Sequence, residues 1–224
     1  MLELRPGDGE AVYVGLKGFS RYSDRYALTA EEINELAKQK PVYVAFNRIK
    51  SPEEIEEAVN KLKGVEGLIL NDPGTIWKLR EKFGLSITSS VGICPTNRLD
   101  LEFLAEIGCD VCVIPPELNE DFAEAGLDPE EKPCKLELFR FALFEMFYKG
   151  RCTLTGYFDG VSTKKDGLCT KKCCREWEVF MGDEKVFETS FPPRKSWLRI
   201  DGADIVKYEG RQIEKRRNRW RGLR

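Results

Sequence analysis

Four of the chain's eight cysteines, Cys152, Cys169, Cys173 and Cys174, fall within residues 150–175, GRCTLTGYFDGVSTKKDGLCTKKCCR. Their spacing, C-x16-C-x3-C-C, lies in a stretch of Gly, Thr, Ser and Lys without apolar periodicity, so burial in a core does not account for them. Clustered thiols in such a loop are expected to ligate a metal ion or an inorganic cluster. Tetrahedral zinc and an iron-sulfur cluster both accept four thiolates, and the C-x2-C spacing of zinc ribbons is absent, so the pattern leaves both open. The chain has no histidine, which removes imidazole as a ligand, as a base and as the partner of a nucleophile. Adjacent cysteines rarely reach one site, so Cys94, in the loop VGICPTN, competes with Cys174 for the fourth position. Cys109 and Cys112, formally a C-x-x-C, and Cys134 sit in or beside strand-like runs and read as small buried hydrophobes.

The elements that must position these thiols are repeated βα units. Short apolar, β-branched runs recur as AVYVGL from Ala11, PVYVAF from Pro41, GLIL from Gly67, SITSSV from Ser86, DVCVI from Asp110 and KLELFRFALF from Lys135. Between them Thr29 with Glu32 and Ser51 with Glu54 fit capping boxes, Pro52 takes the first helical position, and Asp72-Pro73 opens a third helix. Ile33, Leu36, Ala37 and then Ile55, Ala58, Val59, Leu62 recur at helical spacing, giving each helix one stripe to lay on a sheet. Six or seven parallel, nearly continuous apolar strands predict an α/β fold, a TIM-like (β/α) barrel. It is an incomplete one if LELRPGDGEAVYVG leaves no room for the first helix. A flatter doubly wound sheet is the competing architecture. The expected division is a barrel-like domain over 1–150, a Cys-rich metal or cluster loop over 151–176, a small antiparallel β appendage over 177–210 and a basic tail over 211–224.

At 224 residues the chain builds one full-sized core and a small addition. No apolar run is long enough to span a membrane, and MLELRPGDGE lacks the pattern of a signal peptide, so a cytoplasmic location is expected. The net charge of −2 hides an asymmetry, because RQIEKRRNRWRGLR carries seven Arg and Lys against one Glu. Those charges, with Trp220 among them, could neutralise phosphates and stack a base, which makes RNA the expected partner; a solvated C-terminal helix is the plainer alternative.

The segments AVYVGLKGFS, IKSPEEIEEAV after PVYVAFN, GLILNDPG and above all E-x-F-x5-E-x4-GRCTLTGYFDG followed by GLCTKKCCREW resemble the collagenase-like peptidase family of unknown catalytic type, family thirty-two. The resemblance covers roughly residues 11–178. It implies, besides a peptidase, the oxygen-independent hydroxylases of this family, which act on ubiquinone precursors or on a base in RNA and carry a 4Fe-4S cluster on cysteines near the GRC motif. By that resemblance the cluster is favoured over zinc, on Cys152, Cys169, Cys173 and Cys174. Where the family commonly has His-Gly-Ala-Leu-Cys this chain has Phe141-Ala142-Leu143-Phe144-Glu145, so Glu145 stands at a cysteine's position, as a carboxylate ligand or as a helix-face glutamate.

Barrel chemistry gathers at the carboxyl ends of strands, which nominates Asn47, Asn71 and Asp72 as catalytic groups and Lys17, Arg48 and Glu117 as substrate-binding ones. Asn71 and Asp72 could instead cap a helix, and Lys17 and Arg48 could be solvated charges. The expected function is hydroxylation of an RNA base or an aromatic precursor without dioxygen. A peptidase would have to rely on Glu137 and Glu145, since neither HExxH nor a nucleophile elbow occurs. A third reading is a non-catalytic subunit with a structural zinc, working as a homo- or hetero-oligomer, because an incomplete barrel exposes apolar surface that a partner would cover.

Overall fold

The computed structural model describes residues 10–21, 27–124, 132–144, 152–160, 168–170, 172–174, 176–190 and 195–209. Glu145, the basic tail from residue 211 and the side chain of Cys174 lie outside the described residues. In chain order the elements are β1 (Val12–Gly15), α1 (Ala30–Ala37), β2 (Val42–Phe46), α2 (Pro52–Val59), β3 (Gly67–Leu70), α3 (Pro73–Leu79), β4 (Ser86–Ser89), α4 (Arg98–Glu106), β5 (Val111–Val113), α5 (Asn119–Glu124) and β6 (Lys135–Leu143). Then come α6 (Thr153–Asp159), β7 (Glu176–Met181), β8 (Glu184–Ser190), β9 (Lys195–Trp197) and β10 (Ile205–Tyr208).

The helices begin where side chains satisfy their first backbone N–H groups. Thr29 accepts from the Glu32 amide while Glu32 accepts from the Thr29 amide, at 3.2 and 2.7 Å. Ser51 and Glu54 repeat the device at 3.2 and 3.0 Å, with Pro52 next in line. Asp72 accepts from the Thr75 amide and hydroxyl, and Asn97, not foreseen from the sequence, caps α4 through the Asp100 amide. Each such cap contributes about 1 kcal/mol.

The main path of the sheet runs β1-β2-β3-β4-β5-β6-β10, all parallel. Order in space follows order in sequence, without the reversal a doubly wound sheet requires. Successive right-handed crossovers then place their helices on one face, and the sheet curls away from them into a half-barrel. The core lies between the two layers: Ile33, Ile76, Leu79, Leu101 and Leu104 from the helices meet Val42, Val44, Leu68, Leu70, Ile87 and Leu138 from the strands. No ladder joins β10 to β1 among the described residues. The two ends still meet through side chains, since the Tyr13 hydroxyl donates to the Tyr208 carbonyl at 3.4 Å.

On the concave face Tyr13, Tyr43, Gly67 and Ser86 share one register row. A Cβ at Gly67 would stand 2.8 Å from the Tyr43 ring and 2.6 Å from the Ser86 carbonyl, so glycine lets that ring lie flat across the strand.

The segments read as one antiparallel appendage divide. β7 and β8 form a two-stranded antiparallel hairpin around Gly182-Asp183, with Gly182 at φ 66° as a two-residue turn demands. β9 instead pairs antiparallel with the end of β6, and β10 pairs parallel with β6 in the main sheet. The sequence disguises β10 because no helix precedes it directly; α6, the hairpin and β9 together occupy its crossover.

Candidate active site at the mouth of the curled sheet

The carboxyl ends of the parallel strands surround a cavity of about 50 Å³. Tyr13 from β1, Ala45 and Asn47 at the end of β2, Ile69 and Asn71 at the end of β3, Ser90 and Val91 after β4, Val113, Phe139, Lys207 and Glu209 line it, together with Arg21 from the loop after β1. By the rule that a buried water needs some 10–15 Å³ of this kind of space, it holds a few waters or one edge of a planar ring.

Two cations and two carboxylates meet there, all buried: Arg21, Lys207, Glu137 and Glu209. Lys207 Nζ is 2.5 Å from Glu137 Oε1 and stands 4.2 Å from the centre of the Tyr13 ring. The pair is therefore hydrogen-bonded, and the lysine has a cation–π partner as well, which is how buried charges are tolerated. Asn47 Oδ1 accepts from the Arg21 amide at 2.7 Å, tying the loop after β1 to the strand end. A Cβ at Gly92 would fall 2.0 Å from Asn71 Oδ1, so glycine at that position makes room for the amide. Burial, then the negative charges of Glu66 and Glu137, raise the Tyr43 phenol above its ordinary pKa.

Of the residues nominated from the sequence, Asn47 and Asn71 line the cavity, and Glu137 reaches it through Lys207. Asp72 has its carboxylate engaged in the cap of α3. Lys17 points to Glu32, 3.9 Å away, and Glu117 is exposed in the 3-10 turn Pro116–Leu118. Arg48 is half-buried beside Asn47 and does not line the cavity. Arg21, Lys207, Glu209 and Tyr13 were not nominated. ADIVKYE did carry a signal, since Lys207 and Glu209 alternate with apolar neighbours, as residues facing a polar barrel interior do.

The cysteine segment folds back beneath the hairpin. Cys152 caps α6, its sulfur accepting from the Thr155 amide at 3.5 Å. Thr155, wholly buried, is 3.2 Å from the Thr170 hydroxyl, Lys172 pairs with Asp159 at 2.5 Å, and the Cys169 amide donates to the Arg21 carbonyl at 2.9 Å. The Trp177 indole donates to the Lys172 carbonyl, and its ring stacks on Phe158 at 4.3 Å. These contacts gather the stretches carrying Cys152, Cys169 and Cys173. Among the described residues, no three Cys, Asp or Glu side chains are grouped closely enough to hold a metal ion. Cys94, in the turn after β4, has φ 61° ahead of a proline, the one non-glycine residue with a positive φ among those described. That backbone costs about 1–2 kcal/mol.

A sequence profile of peptidase family U32 matches residues 8–214. The chain belongs to peptidase family U32. Among curated relatives, the tRNA hydroxylation protein P of Escherichia coli (strain K12) is 29% identical over 189 residues, 78% of this U32 chain and 41% of the relative. The protein of that name from Haemophilus influenzae (strain ATCC 51907 / DSM 11121 / KW20 / Rd) is 29% identical over 160 residues, 67% of the chain and 33% of the relative. The chain thus spans well under half the length of either. A solved structure, that of the U32 peptidase Mk0906, superimposes with a TM-score of 0.56 at 17% identity over 91% of this chain and 85% of that one. That likeness concerns the fold. No helix among the described residues of this U32 chain is long and apolar enough to cross a membrane.

Proposed function

We propose that this U32 chain takes part in hydroxylating a base of transfer RNA without dioxygen, with the base edge presented to the cavity at the mouth of the half-barrel. The observation that carries the reading is the likeness to two proteins described as tRNA hydroxylation protein P, joined to a polar cavity of suitable chemistry. Asn47 and Asn71 offer amide donors and acceptors to the edge of a base, and Phe139 and Tyr13 offer ring faces. Arg21 and Lys207 supply positive charge against an anionic group or developing oxyanion, while Glu137 holds the lysine in place.

The donor set near the cavity is rich in thiols, the chemistry an iron-sulfur cluster requires. The absence of imidazole from the chain suits such a cluster, and Thr155–Thr170 and Lys172–Asp159 draw the two stretches together, while the described sulfurs themselves are not grouped around one centre. Cys152, Cys169, Cys173 and Cys174 would hold the cluster, with Cys94 or Glu145 as the other candidates for the fourth position. When bound, such a cluster supplies one-electron redox chemistry. The hydrogen bond from the Cys169 amide to Arg21 couples this segment to a residue lining the cavity.

Nucleoside mass spectrometry of transfer RNA tests the proposal, comparing cells that lack and cells that carry the chain. A base heavier by one oxygen, present only with the chain and lost in Asn71→Ala, supports it. Identical nucleoside profiles would refute it. Iron, sulfide and zinc assays on anaerobically purified protein decide the cofactor separately: zinc without sulfide removes the cluster.

One observation favours a second reading, a non-catalytic partner subunit with a structural zinc. Phe180, Met181, Val186 and Phe187 are exposed on the β7–β8 hairpin. Light scattering of the purified chain that gives a strict monomer counts against it. The peptidase reading rests on Glu137, whose carboxylate is already held by Lys207; casein turnover abolished by Glu137→Gln would restore it.

A further inference from the structure

Cys109, Cys112 and Cys134 are far along the chain from the Cys152 segment and have no part in the proposed reaction. All three are buried on the helix-facing side of the sheet, which agrees with reading them as core residues. Simple packing does not require them to touch, yet they do. Cys134 donates to the Cys112 sulfur at a sulfur–sulfur distance of 3.1 Å, and the Cys109 thiol neighbours the same sulfur. Cys112 lies in β5 opposite Leu136, and Cys134 immediately precedes β6, so the two thiols face each other across neighbouring parallel strands. Ser89 lies directly across the β4–β5 ladder from Cys112, with its hydroxyl buried.

We propose that Cys112 and Cys134 form a redox-modification site: a reversible disulfide that hydrogen peroxide installs in the wall of the half-barrel. Cys112 is the attacking group. The neighbouring Cys109 and Cys134 thiols hold its pKa down, while their bonding to it and their burial push theirs up, so of the three Cys112 ionises first. In the first step the Cys112 sulfur bonds to one peroxide oxygen, the O–O bond breaks, and a sulfenic acid and one water result. In the second the Cys134 sulfur bonds to the Cys112 sulfur, the S–O bond breaks, and a second water leaves with the remaining thiol proton. The two thiols together lose two electrons, which the peroxide takes up; a low-molecular-weight thiol reverses the change by exchange. The bond closes the chain between residues 112 and 134 and ties β5 to β6, whose Val113 and Phe139 line the cavity. The oxidised chain is therefore expected to melt at a higher temperature, because its unfolded state is restricted.

The test uses the full chain, reduced and then treated natively with hydrogen peroxide, alkylated, digested and mapped by mass spectrometry. The expected product is a peptide pair joined through Cys112 and Cys134, lighter by two hydrogens and separated by reductant, together with an upward shift in melting temperature. In Cys134→Ser the Cys112 sulfenic acid has no partner at that position and should be trapped by dimedone. Failure to find the linked pair while Cys152, Cys169, Cys173 or Cys174 is oxidised would overturn the proposal. So would a pair that forms only after unfolding in urea, or a Cys109–Cys112 link in its place.

Discussion

The half-barrel wall and the cysteine segment are held by different physics. From β2 to β5 the strands and helices press wholly buried Leu, Ile and Val side chains together, so that stretch is stabilised by apolar burial spread over many residues. The described residues from Cys152 to the hairpin are joined by contacts such as a buried threonine pair, an ion pair and a stacked ring pair rather than by a spread of buried apolar side chains. A fold whose stability is so unevenly distributed can change its second region chemically without losing the first. It also leaves a bound inorganic group room to contribute where apolar burial is thin.

Substitutions can break that contrast. Lys207→Met should have the largest effect, because it strands the Glu137 carboxylate inside the sheet; removing one partner of a buried pair costs about 3–5 kcal/mol, measurable by urea unfolding. Leu70→Ala, in the middle of the wall, is expected to cost about 2–5 kcal/mol in the same assay. Gly67→Ala should follow at about 1–3 kcal/mol, since the added methyl meets the Tyr43 ring and the Ser86 carbonyl. Phe158→Ala, in the cysteine segment, should cost about 0.5–1.5 kcal/mol by loss of stacking on Trp177. If Phe158→Ala destabilised the chain as much as Leu70→Ala, the contrast between the regions would fail. The smallest effect belongs to acid. Hydrogen bonds from the Thr96 amide and hydroxyl hold the Asp100 carboxyl below its ordinary pKa, so its contribution is present above the unfolded value and fades as pH falls through the folded one. Asp100→Asn should flatten the acid limb of a stability profile.

Much of the wall was legible because its signals are local. Thr29, Ser51 and Asp72 announce their helices within four residues, and runs such as GLIL, bounded by turn residues, read as strands buried on both faces. The mouth of the half-barrel was legible only where a polar residue directly follows an obvious strand, as Asn47 and Asn71 do. Glu209 owes its place at the cavity to the return of β10, a contact set by tertiary structure that no window of sequence contains. Asp72 and Lys17 show the converse: strand-end position made them candidates, while a cap and an ion pair with Glu32 take up their side chains.

The placement of β10 has a consequence for how the chain is made. Lys207 and Glu137 are 70 residues apart, and everything between them, thiols included, must leave the ribosome before the last parallel strand can dock. Until then the Glu137 carboxylate has no lysine, and the concave face is open along that edge. Synthesis therefore delivers the cysteine segment first and the finishing strand afterwards, an order in which the nascent protein shows its thiols to the cell before its own architecture is complete.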